Sequence, residues 1–491
     1  MTSLRDTAVT GVKWTTASAT FAAVTALLFQ LIKARFLVPE EFAYLAILMI
    51  VIGLSRNLEA AGFNRGVIQR DLVTVEEASS LLILNVLLSF FASLIIYYSG
   101  APVAAFFELP RLDIYLRIIS LAVFFQGLTH FFVVFLEKHF HFKVIATIQI
   151  IRQFLFVVLA AILIVLGWGV LGFVLGHVLA TIISAVLFVG GGLNNRVAVL
   201  KPHFRLNDLR PFIKFGIFVT GRQTLSIITR QLDELIVHHF LGPEIMGVYF
   251  FGKNMLERLR QLLYMSFYRL VFPLLSRIKH DQLRLSEAYY KMNRYVALVT
   301  FPVFIGVALT AHLFVPVIFG EQWTDSILIF QVFSVTLVFK MLTGTLAGNL
   351  LYSINRPGTV FGIDVATDLV YIFALMIFAS WGINTVIILY TIYQLIKFMA
   401  MQIAAHRYLS FQLHYYFLNI KGPAGLSLFM AAAVGGFIYF VTPLLSPVFL
   451  LGGSIAVGAS TYFLLTWAFD QKSIQELKDM ALKKRDFYFK I

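Results

Sequence analysis

Apolar residues run in long blocks broken by short polar connectors along almost the whole chain, as in 81–98, 154–175, 369–380 and 426–442. A helix needs about 20 such residues to cross a bilayer. The blocks predict spans at 10–33, 42–63, 79–98, 113–136, 145–166, 170–192, 213–240, 244–270, 289–314, 326–352, 358–380, 383–406, 424–443 and 447–468. The expected fold is therefore an all-α integral membrane protein of about 14 transmembrane helices. Segments of about ten residues with strict apolar–polar alternation, the mark of a membrane barrel, are absent.

Composition excludes a large soluble core. The chain is 59% hydrophobic and 13% charged, with mean hydropathy +0.85, where soluble domains carry roughly 25% charged residues. The N-terminus carries Arg5, Asp6 and Lys13 and lacks a small-residue cleavage site, so the first segment is expected to be retained. There is no cysteine, hence no disulfide and no thiol-bound metal.

The net charge of +14 resembles that of a nucleic-acid binder until its distribution is considered. Basic residues crowd alternate connectors: Arg65 and Arg70, Lys138 and Lys143, 193–212, Arg277 to Arg284, Arg356, Arg407 and Lys421, and the tail. The other connectors are nearly bare, as at 167–169 and 381–384. That asymmetry predicts both termini in the cytoplasm, with lipid rather than nucleic acid as the surrounding partner.

One phrase occurs twice. RFLVPEEFA (35–43) returns as HFLGPEIMG (239–247), with Pro39–Glu40 matching Pro243–Glu244 at an offset of 204 residues. The same offset places Arg56, Leu58, Phe63, Arg65 and Val67 on Arg260, Leu262, Phe267, Arg269 and Val271. A chain that restarts its pattern predicts two related lobes, and in a membrane such lobes flank a transport site. Both lobes begin on the cytoplasmic side, so they are expected to be parallel repeats. The expected division is 1–192 (N-lobe), 193–212 (basic linker), 213–406 (C-lobe), 407–468 (a C-terminal two-helix hairpin) and 469–491 (basic tail). A monomer is expected.

Charges within the spans are the candidate chemistry, because each costs about 2.5–3.5 kcal/mol at mid-bilayer on insertion scales. Arg222, Ser226, Arg230, Asp233, Glu234 and His238 recur at helical spacing, as do Lys253, Glu257, Arg260 and Tyr264, with Arg258 on an adjoining stripe. Arg56, Glu59, Arg152, Lys340, Asp364 and Asp368 complete the set, and Tyr390, Tyr393, Gln394 and Lys397 share one side of a later span. Any single pair, such as Lys253 with Glu257, can be a structural ion pair. Lys33 and Arg35 lie near a span end and are expected to snorkel. Taken together, several cations without a same-helix acid predict a hydrated cationic cavity between the lobes. Arg56, Arg222, Arg230, Lys253, Arg258 and Lys340 are the expected substrate contacts. Arginine binds phosphate in a fork, so phosphate or pyrophosphate is the expected group, with sugar carboxylates as the alternative. Glu59, Asp233, Glu234, Glu257, Asp364 and Asp368 are expected to balance that charge, and one or more of them to take a coupling proton or sodium.

No phosphate-cradling glycine loop is visible, which argues against ATP hydrolysis. His139 and His141 sit beside Lys138 and Lys143, where a metal cation would be repelled; no metal and no cofactor is expected. No external connector is long enough to house glycosyl-transfer chemistry, so a membrane glycan polymerase or ligase is the less favoured alternative, and no enzymatic activity is expected.

ARFLVPEEFA (34–43) with AAGFNRGVIQR (60–70), then QLDELIVHHFLGPEIMGVY (231–249), FPLLSRIKHD (272–281) and FGEQWTDS (319–326), resemble successive segments of the polysaccharide-transport (Wzx-type) branch of the multidrug/oligosaccharidyl-lipid/polysaccharide (MOP) exporters. Ala43 stands where that family often has glycine. The resemblance implies a two-lobed helical bundle with alternating access. It also implies a flippase substrate, undecaprenyl-pyrophosphate-linked oligosaccharide, with polysaccharide polymerase and chain-length machinery as further partners. A cation-coupled multidrug antiporter of the same superfamily is the first alternative.

Overall fold

The computed structural model describes residues 4–60, 67, 68, 70, 72–197, 201–409, 413–471 and 475, with the side chains at 4–10, 12, 57–60, 211, 213–230, 266, 268–270, 272, 273 and 345 left aside. It is all helical, with no strand among the described residues. The principal helices are α1 (Leu4–Phe36), α2 (Pro39–Ala60), α3 (Val75–Phe106), α4 (Leu112–Lys138), α5 (Phe142–Leu163), α6 (Gly169–Asn194), α7 (Leu206–Ile278, broken into two helices at Gly242, φ 84°), α8 (Gln282–Phe314), α9 (Ile327–Leu342), the short α10 (Gly348–Ser353), α11 (Pro357–Phe378), α12 (Ile383–His406), α13 (Leu413–Val441) and α14 (Pro447–Phe469). Among the described residues ten helical segments are long and apolar enough to cross a membrane; one of them, Phe142–Asn194, contains both α5 and α6. Helices suit lipid because they satisfy their own backbone donors and acceptors. Outward side chains are large and apolar, as at Ile95, Trp381, Phe440 and Phe469.

Helix ends follow local chemistry. Proline occupies the first positions of α2, α11 and α14, where its missing N–H is no loss. Thr74 and Glu77 form a capping box on α3: the Glu77 N–H donates to Thr74 Oγ1 (3.2 Å) and the Thr74 N–H to Glu77 Oε2 (2.9 Å). Asp281 caps α8 through the Arg284 N–H (3.1 Å). Gly167 (φ 86°) and Gly169 (φ 54°) make the reversal between α5 and α6 in a backbone region that favours glycine.

The chain divides into two compact units, Met1–Phe250 and Phe251–Ile491. In the first, α1 packs on α5, α5 on α6, α6 on α4, and α4 on both α3 and α2. Small residues permit close approach: Gly127 of α4 lies against Ser89 and the Asn85 carbonyl, and Gly176 of α6 against the Ala160 backbone. Gly247 abuts the Pro39 carbonyl, so the two copies of the repeated phrase meet within this unit. Residues 201–209 are pinned to the second turn of α3. Ser80 Oγ donates to Asp208 (3.1 Å), and the Lys201 N–H donates to Ser79 Oγ (2.9 Å). Leu209 and Phe212 join the Phe131–Phe135 core.

In the second unit α8 is the hub, packing on α9, α13 and α14, while α12 packs on α9 and α11. The last helix is tied down by Arg294 to Asp470 (2.8 Å) and by Tyr462 OH to the Leu298 carbonyl (2.8 Å).

Lys33 departs from the snorkelling expectation. It is buried, with Nζ 5.3 Å from the Phe29 ring centroid, 5.8 Å from Phe173 and 5.9 Å from Phe42. Three ring faces stabilise the ammonium inside the bundle, whereas Arg35 is exposed.

Candidate functional site

The densest charge cluster of the second unit joins α7 to α9. Glu257 and Arg260 are one turn apart on α7 and so share a face. Arg260 Nε donates to both carboxylate oxygens of Glu257 (2.9 Å each), and Lys340 Nζ donates to Oε2 from α9 (3.2 Å). Two cations against one carboxylate leave one net positive charge between α7 and α9. Arg258, the neighbour of Glu257, is half-buried, and its Nε has no hydrogen-bond acceptor among the described residues. Lys253 is half-buried one turn before Glu257.

A second cluster, of opposite sign, joins α11 to α12. Lys397 Nζ lies 2.9 Å from Asp364 and 3.1 Å from Asp368, and Tyr393 OH donates to Asp368 (2.6 Å). Tyr371 stacks on Tyr393 with centroids 4.5 Å apart. One ammonium between two carboxylates leaves one net negative charge.

In the first unit Asp233 and Glu234 are buried near the middle of α7. Asp233 accepts from Tyr249 OH (2.7 Å) and from the Glu234 N–H (3.0 Å). His238 Nε2 meets the carbonyl of Phe107 (2.7 Å), the residue that ends α3, in the last turn of α7 before its break at Gly242 (φ 84°). Arg56 is exposed on α2. The side chains of Arg222, Arg230 and Glu59 lie outside the described residues.

The structure thus brings Glu257 and Lys340 together, and Asp364 with Asp368. Lys340 has an acid, supplied by another helix 83 residues away. Sequence reasoning passed over Arg260 and Lys397 as site residues, although each stood on a polar stripe. No group of three or more His, Asp or Glu side chains is placed to hold a metal among the described residues. Outside the spans, burial and, behind it, the neighbouring His139 hold the His141 imidazole below its ordinary value.

A family model described as "Polysaccharide biosynthesis protein" matches residues 32–328. The chain is 25% identical over 434 residues to the teichuronic acid biosynthesis protein TuaB of Bacillus subtilis (strain 168), spanning 85% of this chain and 86% of that one. It is 24% identical over 378 residues to the lipopolysaccharide biosynthesis protein WzxC of Escherichia coli (strain K12), spanning 76% of each. Its fold matches that of the lipid II flippase MurJ in an inward closed conformation, with TM-score 0.72 over 94% of this chain and 99% of that one, at 16% identity.

Proposed function

The chain belongs to the polysaccharide biosynthesis protein family, within the polysaccharide-transport branch of the MOP exporters, and from that premise we propose that it is a flippase for undecaprenyl-pyrophosphate-linked oligosaccharide repeat units. It moves them from the cytoplasmic to the periplasmic leaflet of a bacterial inner membrane, by alternating access and without a covalent step. The observation that carries this reading is the net positive Glu257–Arg260–Lys340 cluster between α7 and α9. An arginine fork and a lysine ammonium are the donors that a pyrophosphate requires. In the empty state Glu257 holds both cations. Phosphate oxygens then take over the same donors, so neither cation is left bare at membrane depth. The Asp364–Asp368 pair, which shares one ammonium, keeps a negative charge for a coupling proton or sodium. The names of the curated relatives, which refer to teichuronic acid and lipopolysaccharide biosynthesis, support a glycan cargo.

That same acidic pair favours a second reading, a cation-coupled multidrug antiporter. Deleting the gene and measuring prenyl-pyrophosphate-linked glycans by leaflet separates the two. Accumulation in the cytoplasmic leaflet with loss of surface polysaccharide supports the flippase. Unchanged lipid-linked glycans with altered drug sensitivity overturn it in favour of the antiporter. Accumulation in the periplasmic leaflet overturns it in favour of a polymerase or ligase.

A further inference from the structure

The stretch from the end of α6 into the first turns of α7, residues 196–212, is held firmly yet leaves apolar and basic side chains outside. Its two ends are buried: Val197, Leu209 and Phe212 belong to the apolar cluster around Phe131 and Phe135. Its middle is bonded to the second turn of α3. Ser79 Oγ accepts from the Lys201 N–H (2.9 Å) and Ser80 Oγ from the Arg205 N–H (3.1 Å). Ser80 directly precedes the apolar block 81–98 of that spanning helix. The stretch therefore lies at the depth where hydrocarbon gives way to lipid headgroups.

Two kinds of side chain project from it. Phe204 and Leu206 are 42% and 68% exposed, and Leu72, two residues before the N-cap of α3, is 84% exposed. Arg196, Lys201, Arg205 and Arg210 are exposed as well, and none of them forms an ion pair among the described residues. The adjoining acids are engaged elsewhere. Asp208 is bonded to His203 (2.9 Å) and Ser80 (3.1 Å), and Glu77 to Arg70, whose guanidinium lies 5.3 Å from the Phe212 ring centroid. Glu76 stays exposed on the first turn of α3, one acid against four cations. Water disfavours the apolar side chains and hydrocarbon disfavours the cations, whereas the headgroup layer of an anionic leaflet accepts both. We propose that residues 196–212 form an interfacial anchor that binds anionic phospholipid. Phe204 and Leu206 enter the acyl boundary, and the four cations take lipid phosphates. Charge counting along the chain fixes only a side of the membrane; the fold adds a fixed depth and an apolar edge. The anchor requires only that the chain spans a membrane, so it stands or falls apart from the flippase reading.

The chain has no cysteine, so Asn207→Cys, an exposed position beside Leu206, takes a single bimane label. Labelled full-length protein is placed in nanodiscs of phosphatidylcholine with a minority of phosphatidylglycerol. A doxyl quencher is carried on the acyl chain of one lipid or the other at equal mole fraction. Both lipids should quench, and phosphatidylglycerol should prove locally enriched about fivefold or more, the scale of one cation at a charged membrane surface. Raised salt should weaken the enrichment. K201Q/R205Q should bring it close to that of the neutral lipid, and K201R/R205K should retain it. F204S/L206S should lower quenching by both lipids. Absence of quenching overturns the proposal, as do equal quenching by the two lipids and an enrichment untouched by K201Q/R205Q. Inorganic phosphate that abolishes the enrichment at constant ionic strength overturns phospholipid as the occupant in favour of a soluble anion.

Discussion

Glu257→Gln is the substitution from which the structure extracts most. In the native chain Glu257 receives two bonds from Arg260 at 2.9 Å and one from Lys340 at 3.2 Å. At 3.2 Å and an effective dielectric of about 20 the Lys340 attraction alone is worth about 5 kcal/mol before desolvation. The three side chains are 25%, 14% and 32% exposed, so water already offsets part of that term. Removing one partner of a fully buried pair costs about 3–5 kcal/mol, and charge-assisted hydrogen bonds contribute about 1.5–3 kcal/mol. A loss of about 2–3 kcal/mol follows for the anion-free protein, because two cations are left facing each other. Lys340→Met alone should cost about 1 kcal/mol, since Arg260 remains on the carboxylate. In the E257Q/K340M double variant the repulsion is gone, so its cost should fall short of the sum by about 1 kcal/mol or more. The assay is equilibrium unfolding in mixed micelles, repeated with inorganic pyrophosphate. The anion should stabilise Glu257→Gln more than the native chain, because its donors no longer have a carboxylate to leave. Additive costs, or a Glu257→Gln loss below about 0.5 kcal/mol, would refute the coupled triad. Equal stabilisation of both proteins by pyrophosphate would refute the exchange of carboxylate for phosphate.

Lys397→Met leaves Asp364 and Asp368 without their shared ammonium and should destabilise by about 2–3 kcal/mol, with Asp364→Asn added to it restoring part of the loss in thermal unfolding. Gly247→Ala drives a Cβ into the Pro39 carbonyl and should cost about 2 kcal/mol or more, whereas Gly53→Ala, in open space within α2, should be neutral or stabilise by up to about 1 kcal/mol; paired melting curves check the contrast. Asp470→Asn breaks the 2.8 Å pair with Arg294 and should loosen the end of α14, read as faster amide exchange there than in α13.

The apolar blocks were legible because bilayer thickness sets a length scale that any sequence must meet. Helix starts fall at Pro39, Pro357 and Pro447, against expected span starts of 42, 358 and 447, because a fixed φ and a missing donor suit proline to the first helical position. The repeat was legible because proline is scarce. Its packing was not: nothing in the two phrases says that Gly247 meets the Pro39 carbonyl. Within the candidate site, helical periodicity correctly put Glu257 and Arg260 on one face, and Asp364 and Asp368 on another. It misjudged Lys33, because proximity to a span end says how far a side chain must reach for water and nothing about Phe29, Phe42 and Phe173 around it.

By itself the sequence determined that this chain is a multi-pass helical membrane protein with an internal repeat and an excess of cations inside its spans. Those properties depend on composition, block length and order along the chain. Only the tertiary structure decided which charges meet. Lys340 reaches Glu257 across 83 residues and Lys397 reaches Asp368 across 29. A helix period fixes the face on which a residue stands, and packing between helices fixes what stands opposite. The sign of each cluster, positive at α7–α9 and negative at α11–α12, is a sum over both faces and so belongs to the fold.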